Sequence, residues 1–515
     1  MKESRTVNSI KNSSSSVLTY IVLTITSFVS QTFFIKILGN EYLGLNGLFS
    51  NILSMLSLFE LGIGSAIIYN LYKPIINNDI EEIKSLMSFY KKAYNIITLI
   101  ILILGLSITP FINLIVKSEI TNINFKLVYI LMLTSTVSSY ILTYKRSILY
   151  AHQKEFIINI IHIIYLIILN LSQILILIYT KNYYLYLSMK ILFQLVENIV
   201  ISFVCDKKYP YIKEKGKKLN KNIENKIITK VKAMLFHKIG GILVFSTDNL
   251  IINKFIGLVT VGLYSNYNLI INAINNLVCK FIEALIPSVG NLLAQNDSSK
   301  IFNIFKNTRF INFCVSCISS TCLLLLLNPF IKIWLGEEYL LNEFVVIILI
   351  ISYYQKSERY SYSTFKTAAG IWEKDKMIPI GEAMVNLIAS IILAKCIGLP
   401  GVFIGTILSS LVLWLYGYPK YIYIHLFKRK YKYYFIESIK QLFTFFIILL
   451  TSYGISKMIS TSNNIFLLVV NLLIGLIVPN VVIIVLYYRT DEYTFVKNIL
   501  INFKNKIIRK NRSIS

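Results

Sequence analysis

Apolar stretches of about 20 residues recur from one end of the chain to the other, each long enough to cross a ~30 Å hydrocarbon core. "VLTYIVLTITSFVSQTFFIKIL" (17–38) and "NIFLLVVNLLIGLIVPNVVIIVLYY" (464–488) are two of them. Hydrophobic residues make up 55% of the chain and charged residues only 15%, against about 25% charged in soluble domains. The expected fold class is therefore all-α: a polytopic membrane protein with about 14 transmembrane helices. The spans fall near 17–38, 43–71, 93–116, 126–149, 156–179, 183–204, 234–256, 261–289, 309–333, 342–366, 377–397, 400–424, 434–457 and 464–488.

An even number of spans puts both termini on one side. Basic residues crowd the alternate loops "YKPIINNDIEEIKSLMSFYKK", "YKRSILYAHQKE", "CDKKYPYIKEKGKKLNKNIENKIITKVK", "AQNDSSKIFNIFKNTR", "FKTAAGIWEKDK" and "FKRKYKYY", and the C-terminal tail. The positive-inside rule makes that side cytoplasmic. The net charge of +27 is thus explained by topology and contact with anionic lipid, not by nucleic acid. The first run is too long for a signal h-region, follows a Ser-rich polar head and lacks a small-x-small cleavage site, so it is expected to be retained. Cys314-x-x-Cys317 has no second pair or His beside it and is expected to serve helix packing rather than metal. Abundant Ile, Lys, Asn and Tyr suggest an AT-rich, bacterial genome, and the expected location is the cell membrane.

One short pattern occurs twice. "KILGNEYLGL" runs from Lys36 and "KFIGLVTVGL" from Lys254, each at the exit of an apolar run. An even number of spans separates the two, so the halves have the same orientation, a parallel repeat about an axis along the membrane normal. The expected division is an N-terminal lobe (1–204), a basic cytoplasmic linker (205–232), a C-terminal lobe (233–424), and a last pair of spans with a basic tail (425–515). Transporters of two such lobes hold substrate between them and rock to expose it to each side.

"ILGNEYLGLNGLFSNILSMLSLFELGIGSAI" (37–67), "RSILYAHQKEFI" (146–157), "STDNLIINKFIGLVTVGLYSNYNLI" (246–270) and "FIEALIPSVGNLLAQ" (281–295) resemble the polysaccharide flippases, the Wzx type, of the multidrug/oligosaccharidyl-lipid/polysaccharide exporter superfamily. The resemblance implies a substrate, an oligosaccharide repeat unit on undecaprenyl pyrophosphate, moved to the outer leaflet for capsule, exopolysaccharide or O-antigen synthesis. It implies no cofactor. Lipid II flippases and drug or cation antiporters are the related alternatives.

A diphosphate crossing hydrocarbon needs fixed counter-charge, and ionisable residues within spans are the candidates. In "VVIILIISYYQKSERYSYSTFKTAAG", Lys356, Arg359, Ser363 and Lys366 share one helical face with Tyr353 and Tyr360. The cations suit phosphate, and the tyrosines suit sugar. An end of this span near Gln355 would instead leave a solvated helix end, with Glu358 a surface partner. Asp248 in the seventh span, with His237 about three turns before it, is a candidate for coupling to H⁺ or Na⁺ or for a gate, beside a structural role. Glu60 is expected to pair with Lys145 or Arg146. Those two cations, with Arg5, Lys11 and Lys238, form the expected inner mouth. Lys280 and Glu283 neutralise one another, and His162 and Gln173 share a face of the fifth span. No P-loop, metal cluster or Ser-His-Asp set is present. A polytopic glycan polymerase or glycosyltransferase is the alternative of another class, but a polymerase is expected to carry a sizeable outer loop, and every outer loop here is short.

Overall fold

The computed structural model describes residues 5–60, 63–116, 123–219, 246–283, 298–369, 377–459 and 463–498, with a few isolated positions between them. His237 and Lys238 lie outside the described residues. So does the side chain of Arg5, whose backbone opens the first helix.

The regular structure described is helical. In the first part of the chain the helices are α1 (Arg5–Leu38), α2 (Asn40–Leu56), α3 (Ile63–Ile76), α4 (Ile80–Ile108), α5 (Phe125–Tyr140), α6 (Arg146–Ala151), α7 (Glu155–Thr180), α8 (Tyr183–Lys208) and α9 (246–255). Then follow α10 (Leu258–Glu283), α11 (Ser298–Trp334), α12 (Glu343–Ala369), α13 (Ile378–Ile397), α14 (Leu399–Leu411), α15 (Lys432–Lys457) and α16 (Asn464–Tyr487). Among the described residues, nine helical segments are long and apolar enough to cross a membrane. A backbone in lipid has to satisfy its own hydrogen bonds, which is why such segments are helices.

Where its residues are described, each expected span is helical, the seventh (234–256) from 246 on, and several are interrupted, the third by a 3₁₀ turn over Thr109–Phe111. The second bends at a 3₁₀ turn over Ser57–Glu60, between α2 and α3. The fourth breaks after Tyr140, where Leu142 takes a left-handed φ of 63° and redirects the chain into α6. Several expected inner loops are helix instead. The loop of 72–92 shrinks to the residues around Asn77–Asp79, because the Asp79 carboxylate caps α4 by accepting from the Glu82 amide at 2.9 Å. Helix α11 begins at Ser298, so Arg309 stands in a helix rather than in a loop.

The chain divides into two compact units, Met1–Ser265 and Asn266–Ser515. This division falls later than the 205–232 linker, and the repeated turn explains why. Gly39 (φ 91°) and Gly257 (φ 137°), equivalent positions in the two copies, both take a left-handed turn between consecutive helices. A Cβ added to Gly44 would strike the Leu258 carbonyl, and one added to Gly262 would strike that of Asn40. These contacts are reciprocal: Gly44 and Gly262 hold the same place in the two copies, as do Asn40 and Leu258. The two copies therefore cross backbone to backbone, through small residues, in the manner of membrane helix pairs. Asn253 Nδ2 donates to the Ile115 carbonyl at 2.6 Å, and the Ser246 and Ser54 hydroxyls are 2.8 Å apart. Helix α9 is thereby fastened to the first unit.

In that unit α1 lies along α7, and α8 packs against both α5 and α7. In the second, α11 contacts α12 and α16, α13 and α14 form a close antiparallel pair, and α14 also meets α12. An aromatic cluster of Phe302, Phe305, Tyr362, Phe365, Tyr423 and Tyr434 closes one end of the second unit.

Candidate functional site

Helix α12 continues well past Gln355, to Ala369. Its cations therefore stand in continuous helix rather than at a frayed end. One side of α12 faces α11 through short polar side chains that satisfy each other. Asn312 Nδ2 donates to the carbonyls of Ser357 (2.9 Å) and Glu358 (3.3 Å), the Ser316 and Ser357 hydroxyls meet at 2.6 Å, and the Tyr353 hydroxyl donates to Ser319 at 2.9 Å. In a membrane this zipper of small polar groups holds two helices together where apolar packing alone gains little.

The expected face comes together as the helical period requires. Lys356, Arg359, Tyr360 and Ser363 are all half-buried, standing beside the fully packed Ser357, Glu358, Ser361 and Tyr362. The Tyr360 hydroxyl donates to Asn275 Oδ1 of α10 at 2.6 Å. The Arg359 guanidinium meets Glu382 of α13 at 2.9 Å. Lys366 is buried. Glu358 is not a surface residue: it is 3% exposed, and its Oε1 has no hydrogen-bond partner.

Two residues of this neighbourhood were missed by the sequence pattern. Arg309, 3% exposed, reaches Glu437 at 2.8 Å and Ser438 at 2.7 Å, with its guanidinium 5.5 Å from the Tyr362 ring and 5.4 Å from the Tyr434 ring. It stood where a run of Lys, Asn and Ser meets the expected ninth span (309–333), and it was not singled out. Glu382 was passed over because one carboxylate in an apolar run has no visible partner in sequence.

In the first unit two cations of the expected inner mouth, Lys145 and Arg146, find their partners on α8. Lys145 Nζ is 2.7 Å from Asp206 and 2.8 Å from the Ser202 hydroxyl. Arg146 Nη2 reaches Asn198 at 2.7 Å and Glu197 at 3.3 Å. His162 Nδ1 joins the same Glu197 at 2.9 Å, and Gln173 Nε2 donates to the Tyr186 carbonyl at 3.0 Å, so both link α7 to α8. The Tyr140 hydroxyl donates to Glu60. Lys11 stands 5.3 Å from the Phe156 ring, and Lys280 and Glu283 form the expected exposed pair at 3.3 Å. Asp248 is buried in α9 beside Ser246, Thr247, Asn249 and Asn253. Outside the spans, burial pushes the His152 imidazole down to about 4, where it stacks 4.4 Å from the Tyr209 ring. It is neutral at physiological pH.

No protein-family model matches the sequence, and no curated protein matches it either. Solved structures do. A lipid II flippase, MurJ, in an inward closed conformation superposes with a TM-score of 0.62 at 17% identity, over 93% of this chain and 99% of that one. A multidrug resistance MATE family transporter of the MOP superfamily, inward-facing, gives 0.61 at 14%, over 77% and 92%. The MATE transporter VcmN of Vibrio cholerae gives 0.57 at 15%, over 82% and 100%. The fold is that of the MurJ and MATE transporters. The MurJ/MATE fold is an all-α, two-lobed, multi-pass membrane fold, as the spans and the repeated turn led us to expect. At these identities it is the fold that is shared.

Proposed function

We propose that the chain is a flippase that carries an oligosaccharide on undecaprenyl pyrophosphate from the inner to the outer leaflet of the bacterial cell membrane, by alternating access, for capsule, exopolysaccharide or O-antigen synthesis. The observation that carries this reading is the extent of the match to the lipid II flippase. Residues 1–424 amount to about 82% of the chain, so a superposition over 93% must take in helices beyond them. The MATE superpositions, over 77% and 82%, make no such demand. A bulky lipid-linked substrate fits that extent better than a small drug or cation.

The half-buried face of α12 supplies what a diphosphate-sugar needs. Lys356 and Arg359 bring cations to that face and Tyr360 brings a hydroxyl and a ring face, while Lys366, two turns beyond Arg359, and Tyr353, whose hydroxyl is held by Ser319, are buried and would join only on opening. Arg359 would exchange Glu382 for phosphate as substrate arrives, a swap of one charged partner for another that avoids leaving the guanidinium unpaired. Asp248 is the coupling candidate for H⁺ or Na⁺, and both termini are assigned to the cytoplasm by the basic loops.

The test is Lys356→Ala with Arg359→Ala in reconstituted vesicles. Flipping is expected to fall at least about tenfold, the equivalent of one lost charge-assisted contact, with folded protein recovered in similar amount. Normal flipping in the double variant removes α12 from the site. Asp248→Asn is expected to flatten the pH or Na⁺ dependence of transport, and an unchanged profile returns Asp248 to a structural role. A lipid II-type substrate is the second reading, favoured by the flippase superposition, and comparing glycans in the same vesicles separates the two.

A further inference from the structure

A cleft of about 650 Å³ opens in the first unit. One wall is the middle of α4, with Lys91, Lys92 and Asn95, and the other is the segment that follows α8, with Lys213 and Lys215. Tyr144 and Lys145 form the floor. The second wall is held in place. The Gly216 amide donates to the Ser88 hydroxyl at 2.9 Å, and its backbone passes so close to Lys84 and Ser85 that an added Cβ would strike them.

The charges of the cleft do not cancel. Glu214, the acidic member of the lining, is turned to Lys84 at 2.7 Å, and Lys84 also reaches Glu81 at 3.1 Å. Lys145 is taken by Asp206. Lys91, Lys92, Lys213 and Lys215 are exposed, and no described carboxylate lies within ion-pair distance of them. From the same mouth an apolar stripe runs down α4. Ile96, Leu99, Ile103 and Leu106 follow at steps of three, four and three, each about half exposed. On a membrane-spanning helix that stripe faces lipid.

We propose that this cleft holds an anionic glycerophospholipid, with its phosphate among Lys91, Lys92, Lys213 and Lys215 and an acyl chain along Ile96, Leu99, Ile103 and Leu106. Lysines clustered at the lipid surface attract phosphate headgroups generally. What makes this place specific is the walled cleft and the apolar track leaving it. A soluble phosphate would use the lysines but not the track, so the lipid is the occupant the geometry favours. The site lies on helices other than α12 and stands whether or not the flippase reading does.

The test is native mass spectrometry of the full chain in detergent, titrated with phosphatidylglycerol, cardiolipin or the zwitterionic phosphatidylethanolamine. Retention of the anionic lipids over phosphatidylethanolamine is expected. Lys92→Ala/Lys213→Ala/Lys215→Ala should weaken that retention at least about tenfold. The equal-charge control Lys428→Ala/Lys430→Ala/Lys432→Ala, in the exposed basic segment before and into α15, should leave it unchanged, as should Lys92→Arg/Lys213→Arg/Lys215→Arg. All these side chains are exposed, so the variants remain folded. Equal retention by wild type and the first variant overturns the proposal. So does full displacement of the lipid by millimolar inorganic pyrophosphate, which would make the cleft a soluble-anion site.

Discussion

At one end of the first unit, Glu197 and Asp206 each have a cation within ion-pair distance, Arg146 for one, with the His162 ring beside it, and Lys145 for the other. In the second unit Glu358 is as deeply buried, yet its Oε1 has no hydrogen-bond partner, while the neighbouring Arg359 turns to Glu382. Burying a charge costs several kcal/mol, and only a well-made pair with further hydrogen bonds offsets it. The first arrangement meets most of that condition, with Ser202 and Asn198 as extra partners and the Arg146 Nε alone left without a hydrogen bond in the pairs named. It reads as an anchor between α6 and α8, and it lowers the claim of Lys145 and Arg146 to be ligands for a passing diphosphate. The second arrangement is incomplete. Incomplete polar groups inside a membrane are where protons, ions or substrates exchange, so the comparison points to the neighbourhood of α12 as the working region.

Four variants sharpen or break that comparison, from the largest effect down. Asp206→Asn leaves Lys145 largely buried without its counter-charge and should cost about 3 kcal/mol or more, seen as a clear fall in the melting temperature of the detergent-purified protein. An unchanged melting temperature would mean that the first unit's pair is not an anchor. His152 acts through pH. Its folded value lies below the unfolded one of about 6.5, so the unfolded chain takes up the proton first as pH falls. Stability is then lost between about 6.5 and about 4, by roughly 1–2 kcal/mol once solvent screening is allowed for. His152→Gln should remove that slope, and a wild-type curve flat across this range contradicts the burial argument. Glu358→Gln replaces a buried carboxyl group whose Oε1 has no hydrogen-bond partner and should change stability by no more than about 1 kcal/mol, in the direction of a gain. A loss of the size seen for Asp206→Asn would show that Glu358 is paired after all. Glu283→Gln breaks an exposed pair and should change stability by less than about 0.5 kcal/mol.

Much of the fold was legible because membrane helices advertise themselves by length and apolarity alone. The repeated turn was legible because Gly39 and Gly257 need left-handed backbone and Gly44 and Gly262 need room for a carbonyl, requirements that only certain residues meet. The breaks at Ser57–Glu60 and Leu142 were invisible, since the apolar pattern runs through both without interruption. Arg309 was passed over for the opposite reason. Its helix extends beyond the apolar part of the span, and a polar helical extension looks like a loop in sequence. The face of Lys356, Arg359 and Tyr360 followed from the helical period. The partners Glu382, Asn275, Asp206 and Glu197 did not, because which helices meet is decided by packing across the chain.

The measurement that bears most directly on the account is transport itself. The purified protein, reconstituted in liposomes with an undecaprenyl-pyrophosphate oligosaccharide, should bring the headgroup into the opposite leaflet, with the rate lost in the Lys356→Ala/Arg359→Ala variant. Folded protein that moves none of several such glycans, while exporting a small cationic drug, would contradict the account and make the chain an antiporter.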